Sequence, residues 1–182
     1  MGNAQFVADA MLGKLAKWLR VLGYDTYYQP GYTPEILASL VGEGRVLLTR
    51  HRKRAEQSGH MGVLIHSNHV GEQLSELARA LNLKPDPSAW FSRCLVCNVP
   101  LSASSEADAR EKVPDYIFHQ NVNQIRFCPT CGRHYWPGSH RSRMEAQLKR
   151  WGFSVYESPA RGAATGATPQ IKGCPGEDHP EP

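Results

Sequence analysis

Two C-x-x-C pairs, Cys94 with Cys97 and Cys128 with Cys131, constrain this chain more than any other feature. Zinc takes four soft ligands in a tetrahedron, and each pair offers two thiolates from one tight turn, so both pairs together complete a shell with no open position. A metal held this way is structural rather than catalytic. Four reduced thiols, or two disulfides in a secreted protein, are the alternatives that the spacing leaves. His134 and His140 are spare donors that four cysteines make unnecessary. In the second pair Pro129 presets a turn and Gly132 permits a positive φ after the last thiolate; Asn98 follows the first pair and tolerates the same backbone region. The arm between the pairs, residues 98–127, is longer than a common zinc ribbon requires, so it must carry structure or mobility of its own.

A length of 182 residues, 41% of them hydrophobic and 21% charged, fits one domain or one and a half with a real core. No run approaches the roughly 18 apolar residues of a membrane span, and the N-terminus lacks the pattern of a signal peptide. Metal-type cysteine spacing agrees with a reducing compartment, so a cytoplasmic location is expected. A net charge of +4 is modest, which makes the placement of the basic residues more informative than their number.

Along the chain, Gln5 to Ala8 reads as a short strand ending at Asp9, and Met11 to Gly23 has helical periodicity. Leu12, Leu15, Ala16, Leu19 and Leu22 make its apolar face, with Lys14, Lys17 and Arg20 on another. Gly23 closes the helix and Tyr24 to Gln29 reads as a second strand, which is a β-α-β opening. Ligands of such units bind beyond the carboxyl ends of the strands, where Asp9 stands; an N-cap is the other account of that residue. Thr33-Pro34-Glu35 starts a second helix, Arg45 to Thr49 and Met61 to Ile65 are further strands, and Val70 to Leu81 is another amphipathic helix. Arg50, His51, Arg52, Lys53 and Arg54 form the densest charge cluster, read either as a solvated loop or as a phosphate-contacting patch beside Asp9. Strands alternating with helices predict a small parallel α/β sheet.

The arm from Ser102 to Gln124 is polar, and after the second cysteine pair Arg133, His134, Tyr135, Trp136, His140 and Arg141 interleave cations with rings. Guanidinium groups suit phosphates and exposed rings suit unpaired bases, so Arg133, Trp136, His140 and Arg141 are candidates for RNA contact. Cementing the cysteine module to the sheet is the competing account of Trp136. A last helix, Met144 to Trp151, turns Leu148 and Trp151 toward the body, and beyond Ser158 the composition predicts a disordered tail containing Cys174. The expected division is 1–88 for the α/β domain, 89–157 for the zinc ribbon and closing helix, and 158–182 for the tail.

These pieces together resemble the Mut-seven C-terminal ribonuclease family, a PIN-type nuclease fold with a zinc ribbon attached. The resemblance runs from Phe6 to about Gly152 and is carried by Asp9 with Leu12 to Arg20, by Gly44 to Arg50, by Arg93 to Asn98, and by Cys128 to Gly132 with Trp136 to His140. It implies cleavage of single-stranded RNA at a cluster of carboxylates holding Mg²⁺ or Mn²⁺, with the metal activating water. The first acid of that cluster is Asp9. The position where the second is expected falls near Thr33, with Glu35 beside it, and the expected Thr-Arg-Asp after the third strand is Thr49-Arg50-His51. Imidazole in place of carboxylate removes a charge and an oxygen ligand, while keeping a group able to act as acid or base near neutral pH. Asp9, Glu35 and His51 are therefore the catalytic candidates, with Glu56, Glu72 and Asp86 as displaced acids. Lys14, Lys17, Arg50, Arg52, Lys53 and Arg54 are the expected RNA-binding surface. A ribonuclease, a non-catalytic RNA-binding protein with a structural zinc ribbon, and a protein-interaction adapter are the readings left open.

Overall fold

A computed structural model describes residues 4–153; Cys174 and the segment beyond Ser158 lie outside the described residues. Four short strands, β1 (Gln5–Ala8), β2 (Asp25–Tyr28), β3 (Val46–Thr49) and β4 (Gly62–Leu64), form a parallel sheet in the order β2-β1-β3-β4. Strand side chains alternate between faces, and the core divides accordingly. Phe6, Ala8 and Leu48 face one side, where they meet α1 (Gly13–Val21) through Leu15 and Leu19, and α4 (Val70–Ala80) through Leu74 and Leu77. Val7 and Leu47 face the other side and meet Leu37 of α2 (Pro34–Gly42). Thr33 caps α2 and Pro34 occupies its first turn, as the sequence predicts. Burial of both faces explains why β1 and β3 read as apolar runs rather than as alternating ones.

The charge cluster after β3 is a short helix, α3 (Arg52–Gln57), rather than a loop. It lies directly against β4, because a Cβ on Gly62 would meet the backbone carbonyl of Ala55. A second correction concerns Arg20. It does not share the exposed face of Lys14 and Lys17 but is 5% exposed, with its guanidinium turned into the protein.

The arm between the cysteine pairs carries its own structure: α5 (Glu106–Lys112) and α6 (Asp115–Asn121) pack Ala109, Val113, Ile117 and Phe118 with Ile125 into a separate small core. Around it β5 (Ser102–Ala103), β6 (Arg126–Phe127) and β7 (His134–Tyr135) pair antiparallel. The last helix, α7 (Ser139–Arg150), starts earlier than the apolar pattern suggests and returns to the sheet, where Met144 and Leu148 join the main core. Trp151 meets Trp18 edge to face at 4.7 Å. Among the described residues no helix is long and apolar enough to cross a membrane.

Candidate metal centre and nucleic-acid interface

The two cysteine turns are built alike. In each, the N–H three residues on donates to the first sulfur, Cys97 to Cys94 Sγ at 3.3 Å and Cys131 to Cys128 Sγ at 3.4 Å. The next N–H closes the turn on the first carbonyl, Asn98 to Cys94 and Gly132 to Cys128, both at 2.9 Å. Closure requires the left-handed region, and Asn98 and Gly132 adopt φ of 67° and 69°. The four sulfurs lie within 4.8 Å of one another, and Cys94 Sγ stands 3.8 Å from Cys131 Sγ. A tetrahedron with Zn–S of about 2.3 Å has edges of about 3.8 Å. All four cysteines are free thiols, which sets the disulfide alternative aside. The cluster can hold a metal ion such as zinc. The backbone N–H of Arg133 leads the groups that hold the Cys131 thiol down to about 6, whereas the Cys131 side chain pushes Cys97 up to about 12. Such unequal thiols become equal ligands when a cation offsets their mutual repulsion.

A seam joins the first cysteine turn to the sheet. Arg20, on α1, donates through Nε and Nη2 to the Thr26 carbonyl, and through Nη1 to the carbonyls of Leu95 and Val96 at 2.9 and 3.0 Å. Thr26 N–H donates to the Asn98 side chain at 3.0 Å, and Asn98 donates to Asp25, which Arg45 also holds at 2.6 Å. Since β2 is an edge strand, these contacts also cover backbone groups that an open edge would expose. Within the module itself, the Tyr135 hydroxyl on β7 stands 3.1 Å from Cys94 Sγ.

The second locus is set by topology. Strand order reverses around β1, so the crevice between the carboxyl ends of β1 and β3 is the switch point where open parallel sheets bind ligands. Asp9 ends β1 and Thr49 ends β3. Asp9 is 2% exposed; its Oδ1 accepts from Ala10 N–H at 2.8 Å, and its Oδ2 accepts from the Thr49 hydroxyl at 2.7 Å. Arg54 Nη1 donates to both oxygens, at 3.0 and 2.9 Å. Burial works to raise the Asp9 pKa, but the hydrogen bonds from Thr49, Ala10 and Arg54 and the Arg54 charge together lower it. The carboxyl is thus an anion. Tyr32 and Tyr28 brace the backbone on either side of Asp9, their hydroxyls donating to the carbonyls of Ala8 and Ala10 at 3.1 Å each.

The predicted residues divide here. His51 comes close, with Nε2 4.0 Å from Asp9 Oδ2. Glu35 is exposed on the first turn of α2, and no hydrogen bond or ion pair joins it to Asp9. Of the displaced acids, Glu56 pairs with Arg52, Asp86 caps its own turn and Glu72 is exposed on α4. Arg50 donates to Asn68 at 2.7 Å, while Lys53, Lys14 and Lys17 are exposed. Farther off, Arg133 and His140 are exposed, Trp136 packs on the arm's small core, and Arg141 pairs with Glu145 and covers the Phe91 ring at 4.7 Å. Tyr28 and Tyr32 escaped sequence reasoning as site residues because single tyrosines in a strand and loop carry no spacing signal, and Thr49 stood out only as part of the Thr49-Arg50-His51 run.

A hard divalent cation wants several oxygen ligands. The donor set at Asp9 does not fit one: it is a single carboxylate already bonded to a guanidinium, and its near neighbour is an imidazole rather than a second oxygen ligand.

Fold and sites together define an α/β protein with a four-cysteine module appended to its parallel sheet. No curated protein and no solved structure matches the chain. The family model for the Mut7-C RNAse domain matches residues 4–148, and the chain belongs to that family.

Proposed function

We propose that this protein binds single-stranded RNA across the carboxyl ends of β1 and β3, as a PIN-like, ribonuclease-related protein in the cytoplasm with zinc held by its four cysteines. The observation that carries the reading is the composition of that edge. One buried acid, Asp9, stands beside Arg54 and His51, with Arg50 and Lys53 in the same turn and helix after β3, a composition that suits phosphates rather than a metal cluster. Lys14 and Lys17 on α1, Arg52 on α3, and Arg133 and His140 beyond the cysteines are further exposed basic residues.

A second reading, divalent-metal-dependent hydrolysis, is favoured by family membership and by Asp9 at the switch point. One experiment separates them: a labelled single-stranded RNA is incubated with the zinc-loaded protein in Mg²⁺ or Mn²⁺, and binding and cleavage are read from the same samples. The first reading expects binding that weakens steeply with salt and no cleavage by the wild type. Cleavage that Asp9→Asn abolishes selects the second. Salt-insensitive binding, or none, overturns both in favour of a surface for proteins.

A further inference from the structure

We propose that Asp9 and Arg54 form one unit, a phosphate seat in which the carboxylate fixes the guanidinium and itself takes no metal ion. The inference rests on the RNA reading above and assigns to that edge the residue that receives a backbone phosphate.

The first observation is saturation. An ionised carboxylate has about four lone-pair positions. Asp9 already accepts four hydrogen bonds, from Ala10 and Arg54 on Oδ1 and from Thr49 and Arg54 on Oδ2. No position remains for a metal ion unless Arg54 withdraws. Thr49 is itself oriented, since its hydroxyl accepts from the His51 N–H at 3.0 Å while donating to Asp9. The turn after β3 therefore fixes both the acid and the start of the helix that carries Arg54.

The second observation is asymmetry. The Asp9 side chain is 3% exposed and that of Arg54 is 42% exposed. Arg54 spends only Nη1 on the acid; Nε and Nη2 make no hydrogen bond among the described residues. A guanidinium carries five N–H donors in a planar fork that matches phosphate oxygens. Anchored through one nitrogen and open through the other two, Arg54 offers its fork outward. The His51 side chain, 54% exposed on the same rim, supplies a second donor.

Asp9 has two opposed effects on an anion bound here, and they predict opposite signs. Its bare charge repels phosphate, so neutralising it would tighten binding. Its grip on Arg54 organises the fork, so neutralising it would loosen binding. In a buried, four-times-bonded geometry the grip is the larger effect.

The test is equilibrium binding of a labelled single-stranded oligoribonucleotide to the zinc-loaded protein over a salt series without Mg²⁺ or Mn²⁺, for the wild type, Asp9→Asn and Arg54→Gln. Arg54→Gln is expected to weaken binding about tenfold, the loss of a charge-assisted contact, and to reduce the slope of log K against log salt by about 0.7. Asp9→Asn is expected to weaken binding too, although it removes a negative charge. Tighter binding by Asp9→Asn, or an unchanged salt slope in Arg54→Gln, overturns the seat while leaving the RNA reading intact. Absence of RNA binding by the wild type overturns both. A second measurement needs no RNA. Titrated with Mn²⁺ and followed by electron paramagnetic resonance, the wild type is expected to show no Asp9-dependent site, and the double variant His51→Asp with Arg54→Gln to gain one that Asp9→Asn removes. An Asp9-dependent Mn²⁺ site in the wild type overturns the proposal.

Discussion

Phe6, Val7 and Ala8 of β1 are wholly buried between two helical layers, whereas β5, β6 and β7 of the cysteine module are two residues each and partly or fully exposed. The sheet is held by apolar area on both faces, which is non-directional and tolerates adjustment. The module has only a small core around Phe118 and Ile125, and its turns are set by four sulfurs converging on one point. One region keeps its fold by bulk, while the other adds to its small core a point of convergence that can hold a metal ion. Small modules need such staples because their surface-to-volume ratio leaves too little apolar burial.

The largest way to break this contrast is metal removal. Structural zinc contributes about 10–16 kcal/mol of apparent binding energy in small zinc modules, so chelation is expected to strip amide protection from residues 93–135 while the amides of β1 and β3 stay protected. Hydrogen exchange followed by mass spectrometry reads this directly; protection lost together in both regions would mean that they form one cooperative unit.

A smaller effect tests the seam. Arg20→Met keeps much of the volume but leaves the carbonyls of Thr26, Leu95 and Val96 without their guanidinium partner, a loss of about 2–4 kcal/mol. The urea midpoint is expected to fall and zinc release to a chromophoric chelator to quicken. A lower midpoint with unchanged zinc release would confine Arg20 to the sheet.

The smallest expected effect is acid sensitivity at the carboxyl edge. Burial of Glu76 works to raise its pKa, but the N–H groups of His66 and Ser67 and the His66 ring together bring it down to about 2 from 4.5. Asp9 is lowered in the same direction. A depressed folded-state pKa contributes stability above the unfolded value that is lost as pH falls through the folded one. The melting temperature should therefore decline between about pH 4.5 and 2, with a shallower decline in Glu76→Gln. An identical acid limb in that variant would assign the loss to Asp9 and the remaining carboxylates.

Local signals carried far in the cysteine turns, where Asn98 and Gly132 are legible from the sequence because a positive φ selects few residue types. The strands and helices of the sheet were legible for a related reason, since burial on one face or two leaves a period in the apolar residues. The same reasoning misjudged Arg20, because periodicity assigns a cation to the solvent side and cannot anticipate three carbonyls converging from β2 and the first cysteine turn. Glu35 is near in the chain to the missing acid, whereas the hydrogen bonds of Asp9 go to Thr49, Arg54 and the backbone of Ala10.

The sequence by itself determined the four-cysteine cluster, the parallel α/β class and the presence of an acid at the end of the first strand, because each depends on residue types at short spacing. Only the tertiary structure decided the partner of that acid. Arg54 lies forty-five positions away, and its guanidinium reaches Asp9 because β1 and β3 pair side by side and α3 starts just beyond the carboxyl end of β3. Register and helix docking create that contact, and no local pattern encodes it.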